Sequence, residues 1–130
     1  MPAAPGAGTQ LAITAVVSRF ASVSVLGQPA ALVLSEADVA RGYVDVPQGA
    51  SLEVRSNSRE GFLLEFHNRL AGELVREIEV SGAVGGRIVL PGAARGVSAQ
   101  RLVVGYRIVL LPAARPGTYP WPVQVVASPL

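Results

Sequence analysis

Arg101-Leu-Val-Val-Gly-Tyr-Arg-Ile-Val-Leu-Leu111, Pro112-Ala-Ala-Arg-Pro-Gly-Thr-Tyr-Pro-Trp-Pro122 and Val123-Gln-Val-Val126 run on from one another, and their reading decides the fold. The two outer runs are rich in Val, Ile, Leu and Tyr, which suit a pleated, half-buried surface. The connector between them carries four Pro, Gly117 and the only Trp. Pro fixes φ and removes a backbone donor, so the connector cannot be helical and reads as a rigid turn. The outer runs then read as a terminal hairpin of two strands.

The same grammar extends backwards along the chain. Ser51-Leu-Glu-Val-Arg-Ser56 alternates cleanly, with Leu52 and Val54 on one face and Glu53 and Arg55 on the other. Phe62, Leu64 and Phe66 share a face of the next strand, and Asn57-Ser-Arg-Glu-Gly61 between them reads as a hairpin loop. Tyr43–Val46 is a further strand, ended by a turn at Pro47-Gln-Gly49. Ala31–Leu34 and Arg87–Leu90 are short apolar strands, and a Gly/Ala/Pro loop runs on to Ser98. Leu74–Val80 suits a helix in its first half, yet Ile78 and Val80 against Glu77 and Glu79 favour a strand ending at Gly82. Ser35 with its nearby acids predicts one capped helical turn, stopped at Gly42. Near the start, Leu11, Ile13, Ala15 and Val17 open an alternation that continues through Val25 for about fifteen residues, far beyond a usual strand. Either two strands or one bent near Ser18-Arg19 is expected there, ending at Gly27-Gln-Pro29.

The whole predicts an all-β, immunoglobulin-like sandwich of about eight to nine short antiparallel strands. Residues 1–9 read as a flexible Pro/Ala/Gly leader and residues 10–130 as a single domain. The leader has neither the basic nor the apolar region of a signal peptide. No apolar stretch is long enough for a membrane-spanning helix.

Half of the 130 residues are hydrophobic and 15% are charged, which excludes disorder. All eleven basic residues are Arg, set singly among nine carboxylates for a net charge of +2. Without a basic run or stripe, nucleic acid is not an expected partner. The absence of Cys removes disulfides, thiolate nucleophiles and Cys-type metal sites. A single His, His67, on the polar side of its strand leaves acid–base catalysis without a partner set, and no Gly-x-Ser-x-Gly elbow is present. No catalytic residue, metal ligand or cofactor is expected. Tyr119 and Trp121 share a parity across Pro120 and are the candidate surface-binding residues, as a platform for glycan or peptide. Their competing role is to cover an open end of the sandwich.

Ala114-Arg-Pro-Gly-Thr-Tyr-Pro-Trp-Pro-Val-Gln-Val-Val126 resembles the end of bacterial fimbrial subunits and their spore-coat-U-type relatives, where such a turn leads into the last alternating strand. Arg41-Gly-Tyr-Val-Asp-Val46 and Leu52-Glu-Val-Arg-Ser-Asn57 suit such a subunit in order and spacing. The disulfide common in those subunits has no counterpart here. The resemblance implies a secreted, periplasmic or cell-surface structural subunit, without enzymatic activity, that assembles by donating a strand to its neighbour. Leu11, Ile13, Ala15 and Val17 are the candidate donor strand, with identical subunits or a periplasmic chaperone as partners. The competing expectation is a monomeric extracytoplasmic module binding glycan or peptide through Tyr119 and Trp121.

Overall fold

The computed structural model describes residues 18–92 and 96–130. Among the described residues, nine strands and one short helix follow in order: β1 (Ala21–Gly27), β2 (Ala31–Leu34), α1 (Glu36–Arg41), β3 (Tyr43–Ser56), β4 (Phe62–Asn68), β5 (Val75–Val80), β6 (Arg87–Leu90), β7 (Ser98–Leu110), β8 (Gly117–Pro120) and β9 (Val123–Pro129). One sheet has the order β1-β3-β7-β5 and faces a second of order β6-β4-β9, while β2 and β8 form a separate two-stranded ribbon. All pairings between these strands are antiparallel. The spatial order matches the ABED and C′CF arrangement of an immunoglobulin-like sandwich. Here, however, the strand in the D position (β5) precedes the one in the C′ position (β6).

Alternation explains which side chains fill the space between the sheets. From β3 come Leu52 and Val54, from β4 Phe62 and Leu64, and from β7 Val104, Tyr106 and Ile108, all buried. Their odd-numbered neighbours form the wet faces. There the scattered Arg residues meet carboxylates directly across the ladder: Glu53 with Arg101 at 3.2 Å, Asp45 with Arg107 at 2.7 Å and Glu65 with Arg87 at 3.5 Å. Such exposed pairs contribute roughly 0.2–1 kcal/mol each, so they set register more than they set stability.

Three expectations change. The turn at Pro47-Gln-Gly49 is a bulge inside one fourteen-residue strand, where register slips between Val46/Tyr106 and Ala50/Val104. The ladder survives because the two chains can close in on each other. A Cβ on Gly49 would run into the ring of Tyr106, and one on Gly105 would lie 2.7 Å from the Pro47 carbonyl oxygen.

Asn57–Gly61 does not close a hairpin, since β3 and β4 lie in different sheets. The terminal hairpin is likewise replaced by a crossing, with β7 in one sheet, β9 in the other and β8 between them paired to β2. The physical reason is the same in both cases. Each flanking strand is apolar on one face, and crossing lets both apolar faces meet across the core.

The expected capped turn is α1. Ser35 and Asp38 form a reciprocal capping box, and Gly42 ends the helix at φ 88°. Leu74–Val80 resolves as strand β5.

Candidate functional site

Trp121 stands where the chain leaves β8 and enters β9, between Pro120 and Pro122. Its ring is 8% exposed and packs 6.0 Å from Tyr106, which in turn meets Phe66 edge-on at 5.9 Å. Trp121, expected from the sequence as a surface-binding residue, is largely buried and packs with the core. The parity shared with Tyr119 is lost because β8 stops at Pro120, and Trp121 turns inward to bridge the sheets. Tyr119 stays half-buried on the ribbon opposite Leu32, and its hydroxyl donates to the Arg115 carbonyl at 2.7 Å. The two aromatics do not form a joint platform. Covering the sandwich end is the role that fits.

Trp121 also lines a cleft of about 410 Å³ together with Gln28, Arg69 and Leu70. The Trp121 Nε1 and the Tyr106 hydroxyl are buried without a hydrogen-bond partner among the described residues. Burial also pushes the Tyr106 hydroxyl pKa upward. Each orphaned group costs about 1–3 kcal/mol. His67 lies on the outer face of β4 opposite Gln124, exposed and remote from any acid–base set. Among the described residues no three His, Cys, Asp or Glu converge as for a metal ion. No described helix is long and apolar enough to cross a membrane.

The sheet edges hold a different feature. β9 is bonded along one side to β4, and among the described residues nothing pairs with its other side. β1 is bonded along one side to β3 and is also an edge strand. These two free edges run alongside each other, one from each sheet.

The two edges approach within 8 Å, and the apolar row between them, called the slot below, is only partly covered. Val25 sits directly opposite fully buried Leu52 and so shares its inward face, yet it is 42% exposed. Val23, opposite buried Val54, and Val125 and Ala127, opposite Phe66 and Leu64, are inward-facing and only partly covered. An edge strand with such a row offers unpaired backbone groups beside apolar surface. Among the described residues no strand stands in the position next to F in the C′CF sheet.

The candidate donor residues Leu11, Ile13, Ala15 and Val17 lie outside the described residues. What sequence reasoning missed is the acceptor wall. Its only sequence signal was that the N-terminal alternation ran on through Ala21, Val23 and Val25, which places those residues on the same kind of apolar row.

The end of the slot near residue 20 is closed by polar contacts. Asn57 N–H donates to the Phe20 carbonyl at 3.3 Å, Phe20 N–H to Asn57 Oδ1 at 2.7 Å, and Asn57 Nδ2 to the Ser18 carbonyl at 2.8 Å. Buried Ser58 donates from Oγ to the Leu130 carbonyl at 2.9 Å, and Leu130 N–H reaches the Gly61 carbonyl at 3.0 Å. Arg19 crosses from β1 to the same Leu130 carbonyl and to Glu60. Compared with known proteins, the chain matches no family model, no curated protein and no solved structure.

Proposed function

We propose that this domain is a non-enzymatic structural subunit, exported to the periplasm or cell surface, that assembles fimbria-like by strand donation between identical copies. The single observation that carries the reading is the partly covered apolar row along the β1 and β9 edges, with inward-facing Val25 left 42% exposed. The occupant is residues 11–17 of another copy. That segment is seven residues long, as are both β1 and β9. Its Leu11, Ile13, Ala15 and Val17 recur at period two and enter the slot together, while its backbone completes the ladder of β9. Burying the three larger side chains is worth roughly 1.5–3 kcal/mol each, before the cost of ordering the segment. A periplasmic chaperone offering a similar strand would hold the slot until assembly. The resemblance of residues 114–126 to fimbrial subunits supports the exported setting.

Size-exclusion chromatography with light scattering tests this on the full chain and on a form starting at Ser18. The full chain is expected to form concentration-dependent multimers and the shortened one to be monomeric. A synthetic peptide of residues 10–18 is expected to bind the shortened form and raise its melting temperature, and an Ile13→Asp peptide to do neither. Identical masses for both forms, with no peptide effect, would overturn the proposal.

A further inference from the structure

We infer that β5 is a docking edge for an extended segment of a different protein, one that reads basic–apolar–basic and adds to the sheet as an antiparallel strand. β5 lies at the far end of its sheet from β1, so the inference stands apart from strand donation.

β5 is bonded along one side to β7, and among the described residues no strand pairs with its other side. The Ser81 N–H donates to the Gly105 carbonyl at 2.9 Å, which fixes the phase of the ladder. Backbone groups point alternately toward and away from a partner strand, so Glu77 and Glu79 bond β7 while Ile78 and Val80 turn theirs outward. The Ala83 N–H takes the Val80 carbonyl at 3.1 Å, and the bulge at Arg76 breaks the run at the other end. The Ile78 N–H and carbonyl and the Val80 N–H remain, enough to hold a strand of about three residues.

The side chains define what that strand carries. Ile78 and Val80 line a cleft of about 550 Å³ with Phe66 of β4 and Ala83. Phe66, Ile78 and Ala83 are only partly buried. An apolar side chain set beside Ile78 by an added strand enters this cleft.

The wet face specifies its neighbours. Asp45, Glu53 and Glu65 each pair with an Arg directly opposite on the adjoining strand. Glu77 and Glu79 do not, and among the described residues neither forms an ion pair. Val109 stands opposite Glu77, and Arg107, opposite Glu79, directs Nε and Nη2 to Asp45 at 2.7 and 3.1 Å. A strand whose apolar residue faces Ile78 sets the residues on either side of it opposite Glu79 and Glu77. Cations at both places complete the pattern found elsewhere on the sheets. A second copy cannot supply them, because no two of the eleven Arg stand two residues apart and Lys is absent. The occupant is therefore another polypeptide.

The test titrates the full chain into short fluorescein-labelled peptides, followed by anisotropy. Their centres, flanked by Thr, are Arg-Val-Arg, Glu-Val-Glu, and Arg-Val-Arg with the Val nitrogen methylated. The Arg-Val-Arg peptide is expected to bind, and the Glu-Val-Glu peptide to bind about tenfold more weakly or worse. Methylation removes the donor to the Ile78 carbonyl without changing charge, and is expected to weaken binding by a similar factor. Glu77→Arg/Glu79→Arg keeps like charges on the edge, so it still opposes self-pairing, and is expected to invert the order of the first two peptides. Failure of the Arg-Val-Arg peptide to bind, or equal binding of its methylated form, would overturn the inference. Both are read on the parent chain, whatever the variant's folding.

Discussion

Asp38 joins two local interactions at the start of α1. Its carboxylate accepts from the Ser35 N–H at 3.0 Å and pairs with Arg41 at 2.6 Å. The backbone hydrogen bond from Ser35 is the main cause of its lowered pKa, with the Ser35 hydroxyl and Arg41 acting in the same direction. Asp45 is lowered in turn, chiefly by its hydrogen bond from Arg107. A carboxyl whose folded pKa lies below its unfolded value binds its proton more weakly when folded. Its contribution is therefore complete above the ordinary value of about 3.9 and fades as pH falls through the lowered one. Asp38→Asn is accordingly expected to lower the urea midpoint at pH 7, by a deficit that shrinks as the pH is taken below the ordinary carboxyl value of about 3.9. A deficit that persists undiminished in acid would show that Asp38 acts through packing rather than charge. Residue-scale signals of this kind were legible in the sequence, because capping chemistry is local: Ser35, Asp38 and Gly42 stand within one turn. The burial of Trp121 was not legible. Whether a ring flanked by prolines faces solvent or core depends on where its strand stops, and that is fixed by the distant pairing of β8 with β2.

Strands were easier to read than their partners. Leu52 against Glu53, or Ile78 against Glu79, already says which face is wet, because the period of two is written in the residues. The connectors Asn57–Gly61 and Pro112–Pro122 are silent on whether the chain returns beside its last strand or crosses to the facing sheet. Both read as hairpins in the sequence, and both cross. The slot was half-legible for the same reason. The donor alternation shows in Leu11 to Val17, whereas its acceptor needs β1 and β9 to be neighbours across different sheets. The opposite edge, β5, shows how such an element is kept from pairing. Ser81 N–H bonds Gly105, so by alternation Glu79 and Glu77 face β7 while Ile78 and Val80 offer their backbone groups outward. Antiparallel self-pairing centred on Ile78 would set Glu77 of one copy opposite Glu79 of the next, a repulsion reinforced by the bulge at Arg76. Glu77→Thr/Glu79→Thr, made in the form lacking residues 1–17, is expected to dimerise or aggregate where its parent stays monomeric. Light scattering indistinguishable from that parent would remove this protective role.

At the scale of the molecule, β1 begins and β9 ends at one pole, where Ser18, Asn57, Gly61 and Leu130 are tied together. The β4–β5 turn and the start of β3 lie at the other, since Asn68 Nδ2 reaches the Val75 carbonyl and Val75 pairs with Leu110, near Tyr43. This arrangement dictates how the domain carries load. Traction applied at Ser18 along the axis of β1 acts parallel to its ladder with β3, from Ala21/Ser56 to Gly27/Ser51, so all of those hydrogen bonds share the force at once. Traction between Ser18 and Leu130 starts from two points at the same pole and strips bonds one after another. In single-molecule pulling, handles at residues 18 and 73 are expected to need a higher rupture force than handles at residues 18 and 130, and equal forces would refute the geometry. A thread of such domains, each held by a neighbour's strand along β9 and drawn by its own at Ser18, would be stressed in shear, the direction in which a β-ladder yields last.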